Sequence, residues 1–196
     1  MADKQTIDVY NASVATYLDV LEQEQVDEPL RKFIDHLSPS SYVLDLGCGP
    51  GRDAWLMQQA GLSVDPVDAS VEMVEMAKEK FGLKARLGTF SELDAHQFFD
   101  GVWANFSLLH APAADFPAHL RSIFEALKPG GVFHIGMKIG DGEIRDKLGR
   151  QYAYYSEDQL LSHLGSAGFA VESTLSGEGV GLAGDVSPWV TIVSKR

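Results

Sequence analysis

From Tyr42 to Gly47 the chain reads YVLDLG, an apolar run broken by one acid and closed by a glycine. A run this short, bounded by turn residues, predicts a strand buried on both faces. Upstream, helix-like segments cover Ile7 to Glu24 and Glu28 to Leu37, and the Ser-Pro-Ser-Ser break at 38–41 separates them from the strand. Downstream the pattern alternates. Residues 52–61 have helical character and stop at Gly61, and residues 62–70 read as a second strand in which Asp65 and Pro66 point to an edge or an interruption. Ser70 caps a helix over 71–82, with Val71, Val74 and Ala77 or Met73 inward and Glu72, Glu75 and Lys78 or Glu79 outward. LKARLG at 83–88 and FDGVWANF at 99–106 are the third and fourth strands. A helix begins near Asp115 and ends at Pro129-Gly130-Gly131, after which VFHIGMKI at 132–139 is the fifth strand. The remainder supplies a helix from Ser156 to Ala167, a strand at 169–176, a glycine-rich connection and a last strand at 189–196.

Strands separated by helices of this length pair in parallel through right-handed crossovers. The predicted fold is therefore α/β: a doubly wound, seven-stranded, mostly parallel sheet with helices on both faces and an antiparallel last strand. Sheets of this kind take small ligands at the carboxyl ends of their strands, where the strand order reverses. Gly47, Gly49 and Gly51 sit at the carboxyl end of the first strand.

Composition narrows the partners. A chain of 196 residues, 45% hydrophobic and 22% charged, suffices for one well-filled core, so residues 1–196 are read as a single domain. Its net charge of -12 repels phosphate backbones and anionic membranes, which argues against nucleic-acid and membrane partners. One cysteine, Cys48, leaves no internal disulfide and no zinc-type spacing, and no metal site is expected. The first residues lack the layout of a signal peptide, and the expected location is the cytoplasm. The sequence leaves monomer and homodimer open.

Alternate glycines remove the Cβ atoms that would hold a ligand away from backbone N–H groups, and the helix that follows aims its positive end at the same place. The loop reads as a cradle for a nucleotide-like or carboxylate-bearing ligand, although a tight turn needs one such glycine in any case. Dinucleotide binding is the first rival. Its fingerprint is G-x-G-x-x-G, whereas here Gly51 comes one residue early and Arg52 holds the third position.

The motif VLDLGCGPG resembles the first motif of the class I methyltransferases that use S-adenosylmethionine. VDPVDAS, RLGTF, FDGVWANFSLLH and LKPGGVFHIGMK are similar, in order, to that family's later segments. The resemblance spans roughly Tyr10 to Phe169 and implies S-adenosyl-L-methionine as cofactor. It implies that Asp68, with Ala69 beside it, accepts hydrogen bonds from both ribose hydroxyls, as one carboxylate has the lone pairs to do. Asp45 would fix the turn or face the methionine amine. The backbone at Gly47, Cys48 and Gly49 would approach the cofactor, and Asn105 and Phe106 would border its methionine part. Met73 would cover the adenine or serve as core. At Thr89 many relatives carry an aspartate; the Thr89 hydroxyl or the Phe90 N–H would replace part of that contact.

Acceptor-side candidates lie outside these motifs. Tyr10 and Tyr17 fall two turns apart on the first helix, and residues 1–38 are read as helices forming a lid. His110 follows the fourth strand as a base, an orienting group or a packing histidine. Residues 140–155 form a polar insertion on the expected ligand face, where Lys138, Arg145, Arg150, Tyr152, Tyr154 and Tyr155 offer forks and flat walls to an acceptor. The segment resembles one in small bacterial methyltransferases near the tellurite-resistance type. Arg150, His110 and Tyr17 are the catalytic candidates. The reading is in-line methyl transfer to a small molecule, an anionic one being one option. A silent module that binds S-adenosylmethionine or S-adenosylhomocysteine, and transfer of another group from a modified cofactor, are the alternatives.

Overall fold

The computed structural model describes residues 3–23 and 28–196, side chains excepted over 14–23. Helices α1 (Lys4–Gln23) and α2 (Glu28–Asp35) precede the sheet. The alternation then runs β1 (Tyr42–Leu46), α3 (Arg52–Gln59), β2 (Ser63–Asp68), α4 (Val71–Phe81), β3 (Arg86–Leu87), β4 (Phe99–Asn105), α5 (Phe116–Ala126) and β5 (Leu127–Lys138). A hairpin of β6 (Gly142–Arg145) and β7 (Gln151–Tyr154) follows, then α6 (Glu157–Ala167), β8 (Ala170–Val180) and β9 (Val186–Lys195). The main sheet has seven strands in the order β3-β2-β1-β4-β5-β9-β8, parallel except that β9 runs antiparallel to both neighbours. The strand order reverses between β1 and β4, directly beside the glycine loop.

Local chemistry sets the boundaries. The Ser70 hydroxyl accepts from the Met73 N–H at 3.1 Å to start α4, and Gly82 ends it at φ 66°. Ser156 and Gln159 cap α6 reciprocally. Pro66 is tolerated because β3 pairs only with Val67 and Asp68, which leaves Asp65 and Pro66 on a local edge. Arg86 covers that edge with a fork onto Asp65, Nε at 3.0 Å and a terminal nitrogen at 2.9 Å.

Four sequence expectations change. Val71 stands 44% exposed on the first turn of α4, and Met73 takes the inward position instead. The third strand shrinks to two residues. Residues 140–155 are an ordered hairpin rather than a polar loop, because Tyr152, Ala153 and Tyr155 insert into the main core and anchor it. The glycine-rich connection likewise contracts, since β8 and β9 pair out to Val180 and Val186.

The two sheet faces differ. One carries Leu44, Val102, Phe133 and Ile135 and is covered by α5, α6 and the hairpin in one apolar cluster. The register places Asp45, Trp103, His134 and Val193 in a row across the other face, then Asn105, Gly136 and Thr191, then Lys138, Trp189 and Gly177. Leu30 and Phe33 of α2 and Met57 of α3 seal the lower end of that face. Each such buried side chain contributes about 1.5–3 kcal/mol of apolar burial. The upper rows, toward the strand carboxyl ends, remain open to a cleft.

Candidate functional site

The loop after β1 is shaped from within. Gly47 adopts φ 84°, and a Cβ there would come within 2.3 Å of Ser107 Cβ, which crosses the loop to donate its hydroxyl to the Leu46 carbonyl at 2.6 Å. Gly51, at φ 90°, lies against Leu83 and Ala77. Both glycines are thus required by packing before any ligand arrives. Asp68, at the end of β2, braces the same loop: its two oxygens accept from the N–H groups of Gly49 and Ser70, each at 2.8 Å. Burial raises its pKa, and the three backbone donors around it oppose the shift.

A cleft opens beside this loop, lined by Gly47, Gly49, Asp68, Met73, Thr89 and Phe90 and roofed by Thr6, Ile7 and Tyr10 of α1. Thr89 donates its hydroxyl to Glu92 at 3.0 Å, so the oxygen meets the cleft as an acceptor. A second cleft, lined by Asp45, Asp53, Trp103, Lys138, Tyr152 and Trp189, lies over the open sheet face. Tyr10, Gly47, Gly49, Asn105, Phe106 and His110 line both. Phe106 holds φ 53° at this shared wall, a left-handed geometry unusual for a side-chain-bearing residue.

Asp45 is buried, and its Oδ2 has no hydrogen-bond partner among the described residues. Desolvation, with Asp53 and Asp68 nearby, pushes its pKa well up. A polar chain runs beside it. His134 donates Nε2–H to the Asn105 carbonyl oxygen at 3.2 Å, the Asn105 amide bonds Asp53, and Asp53 accepts from Trp103 Nε1 at 3.1 Å. His134 is held neutral by burial, its pKa lowered to about 3, and it stacks on Trp103 at 3.6 Å between centroids. Gly136 is bare because Asn105 lies across it, 2.3 Å from where a Cβ would stand. The Asn105 amide is therefore fixed in orientation.

The far side of the site is held by bonds between α1 and the β6–β7 hairpin. Asp3 receives Arg145 through both terminal nitrogens, at 2.7 and 2.9 Å, and the Gln151 N–H donates to the Thr6 hydroxyl at 2.8 Å. Arg150 donates Nε–H and a terminal N–H to Asp146, at 2.9 and 2.7 Å, and another to the Tyr10 oxygen at 3.1 Å. Across the cleft, Ser70 Oγ and Asn11 Oδ1 lie 2.6 Å apart. His110 Nδ1 faces the Gln151 carbonyl at 2.7 Å, an acceptor only, so Nδ1 carries the proton. Its Nε2 then accepts from the Tyr10 hydroxyl at 2.7 Å. Burial lowers the His110 pKa to about 4, which keeps the ring neutral.

Asp45, Gly47, Cys48, Gly49, Asp68, Ala69, Met73, Thr89, Phe90, Asn105, Phe106, His110 and Arg150 thus all border these two clefts. The side chain of Tyr17 lies outside the described residues. Cys48 is buried, and its thiol pKa is raised by that burial and by Asp45 and Asp68. Sequence reasoning missed Asp53, Ser107, His134 and Asp146. Only Asp146 left a signal, as an acid four residues before Arg150.

Comparison with known proteins gives a consistent picture. A family described as "Methyltransferase domain" matches residues 43–131. The chain is 32% identical over 133 residues to the methyltransferase GfsG of Streptomyces halstedii, a match covering 63% of this chain and 46% of that protein. It is 32% identical over 114 residues to phosphoethanolamine N-methyltransferase 1 of Zea mays, covering 53% of this chain and 22% of that protein. The chain therefore spans less than half the length of these two relatives. Among solved structures, the Burkholderia thailandensis 1,6-didemethyltoxoflavin-N1-methyltransferase, with bound 1,6-didemethyltoxoflavin and S-adenosylhomocysteine, superposes with a TM-score of 0.72 at 26% identity, covering 96% of this chain and 88% of that one.

Proposed function

We propose that the chain is a class I S-adenosylmethionine-dependent methyltransferase that moves a methyl group from S-adenosylmethionine to a small-molecule acceptor held over the open sheet face, a reading supported by its likeness to a methyltransferase domain over residues 43–131 and to the relatives above. The observation that carries this reading is the orphaned Oδ2 of Asp45, which borders the second cleft beside the glycine loop. A buried carboxylate oxygen without a partner costs stability unless a donor arrives, and an amino group is the donor it suits.

The residues fit the cofactor part by part. Asp68 has lone pairs left beyond its two backbone donors and would accept from a vicinal diol. Met73 and Phe90 would flank the adenine, with Thr89 accepting from its amine. Asp45, joined by the fixed Asn105 amide, would hold the methionine end. When bound, the cofactor supplies an electrophilic sulfonium methyl. The chain's own part is to orient the acceptor and exclude water, effects that supply roughly 7–11 kcal/mol in favourable cases.

Helices α1 and α2 act as the lid, and the 140–155 hairpin is the acceptor wall. Tyr10 and neutral His110 stand at the shared boundary with Nε2 able to take a proton, so an acceptor that loses one during attack passes it through Tyr10 to His110. Arg150 holds Tyr10 in line. The roof of α1 and the hairpin suits a small acceptor better than a polymer.

Calorimetric titration with S-adenosylmethionine, S-adenosylhomocysteine and NAD tests the reading. Saturable binding of the first two, none of NAD, and at least ~10-fold weaker S-adenosylhomocysteine binding by Asp45→Asn are expected. Binding of NAD alone, or of none of the three, would end it.

A further inference from the structure

A second alternation of glycines, Gly177, Gly179 and Gly181, runs along the end of β8 and beyond it. Strand periodicity puts all three on one face, and Gly177 pairs with Trp189 on the open face of the sheet. A Cβ at Gly177 would stand 2.5 Å from Trp189 Cζ2, and one at Gly179 would stand 3.3 Å from its Nε1. The indole therefore lies against bare backbone, flat enough to form a wall of the second cleft. Phe106 meets it edge-on at 6.4 Å, and Tyr152 borders the same space.

Lys138, cross-strand neighbour of Trp189, enters this cleft from the end of β5. Its Nζ reaches Ser187 Oγ at 3.3 Å, lies 5.1 Å from the Tyr152 ring centroid, and would meet a Cβ at Gly181 at 2.9 Å. The other cations around the site each have a carboxylate: Arg150 has Asp146, Arg145 has Asp3, Lys147 has Asp185 and Arg52 has Asp53. Among the described residues Lys138 makes no ion pair, and the two acids whose charge it feels, Asp146 and Asp185, are those already engaged by Arg150 and Lys147. Burial and the Arg150 charge lower its pKa from the ordinary lysine value, as for an ammonium lacking a counter-charge.

We propose that the acceptor is a planar aromatic molecule bearing an anionic group, selected by Trp189 as its stacking wall and Lys138 as the seat of its negative charge. This rests on the methyltransferase reading above and assigns the anion to Lys138 rather than to Arg150, whose fork is taken up by Asp146 and Tyr10. An aromatic ring between Phe106, Tyr152 and Trp189 gains stacking area, and a carboxylate or ring-delocalised anion gains a charge-assisted bond inside a partly dry cleft. Lys138 and Trp189 are specificity residues; nothing assigns them a part in bond making.

The test uses the full chain saturated with S-adenosylhomocysteine and a matched pair of probes, quinaldate and its neutral amide quinaldamide, titrated by calorimetry and tryptophan fluorescence. Quinaldate should bind, and bind better than the amide. Lys138→Met should weaken quinaldate at least ~10-fold while leaving the amide within about twofold. Trp189→Leu should weaken both probes, and neither variant should alter S-adenosylhomocysteine affinity. Equal affinity for acid and amide, insensitivity of quinaldate to Lys138→Met, or no quinaldate binding at millimolar concentration would overturn the inference alone. Failure of the wild-type protein to bind S-adenosylhomocysteine would overturn the methyltransferase reading and this inference with it.

Discussion

The two halves of the site are held by different kinds of bond. Around β1 and β2 the groups that meet span shorter stretches of chain: Ser70 and Met73 are three residues apart, Gly49 and Asp68 are 19, and Leu46 and Ser107 are 61. On the acceptor side Tyr10 meets His110 across 100 residues, Arg150 across 140, and Thr6 meets Gln151 across 145. The first half is carried mainly by parallel strands and short loops, and α1 joins it through the Ser70–Asn11 bond and as a roof. The second exists only when the first helix has reached the hairpin. Under the proposed function, rigidity is invested where the ligand is constant, and assembly is left to the side that would admit and release an acceptor.

The most severe way to break this contrast is Gly47→Ala. The new Cβ meets Ser107 at 2.3 Å on a backbone at φ 84°, so a loss of about 2–5 kcal/mol in urea unfolding is expected, with S-adenosylhomocysteine binding abolished. Adding Ser107→Gly should restore part of the stability. An alanine without effect on either readout would mean that the first half is not rigid.

Arg150→Met acts on the other half. It leaves Asp146 without its cation and takes the Arg150 donor from Tyr10, which costs about 3 kcal/mol. Hydrogen exchange should quicken in α1 and in the hairpin while β1 and β4 stay protected, and turnover should fall further than cofactor affinity. Uniform loss of protection across both halves would erase the distinction drawn between them.

A third effect is set by pH. His110 in the folded protein takes up a proton only near pH 4, whereas an unfolded histidine does so near 6.5. Below pH 6.5 the unfolded chain binds the extra proton, so stability present above that pH is lost progressively down to about 4. The melting temperature should fall by a few degrees over this window, and His110→Asn should flatten that part of the curve. His134, held to about 3 beneath Trp103, should keep its own contribution in the variant. An unchanged profile in His110→Asn would place the titration elsewhere.

Legibility in the sequence follows the same division. The glycine loop, Asp45 and Asp68 could be read because their geometry is made by neighbours in the chain and by turn chemistry. The seven-stranded sheet could be read from the alternation of apolar runs and capped helices. Thr6 and Asp3 gave no sign, since their partners Gln151 and Arg145 are brought near only by the tertiary fold. Residues 140–155 looked like a solvated loop because their polar residues outnumber the aromatic ones that anchor them. Gly177 and Gly179 looked like a connection because the reason for their bareness, Trp189, lies across a strand pair. Periodicity reports which face a residue occupies and is silent on what crosses that face.

The packing around Gly47 and Gly51 has an evolutionary side. Both glycines answer to Ser107, Leu83 and Ala77 before any ligand binds. A descendant that lost its catalytic role would still be selected to keep them, because the fold fails without them. Within such a lineage the glycine signature marks ancestry, whereas the buried acid Asp45, whose Oδ2 has no partner among the described residues, is under the proposed function the residue whose loss would date the end of activity.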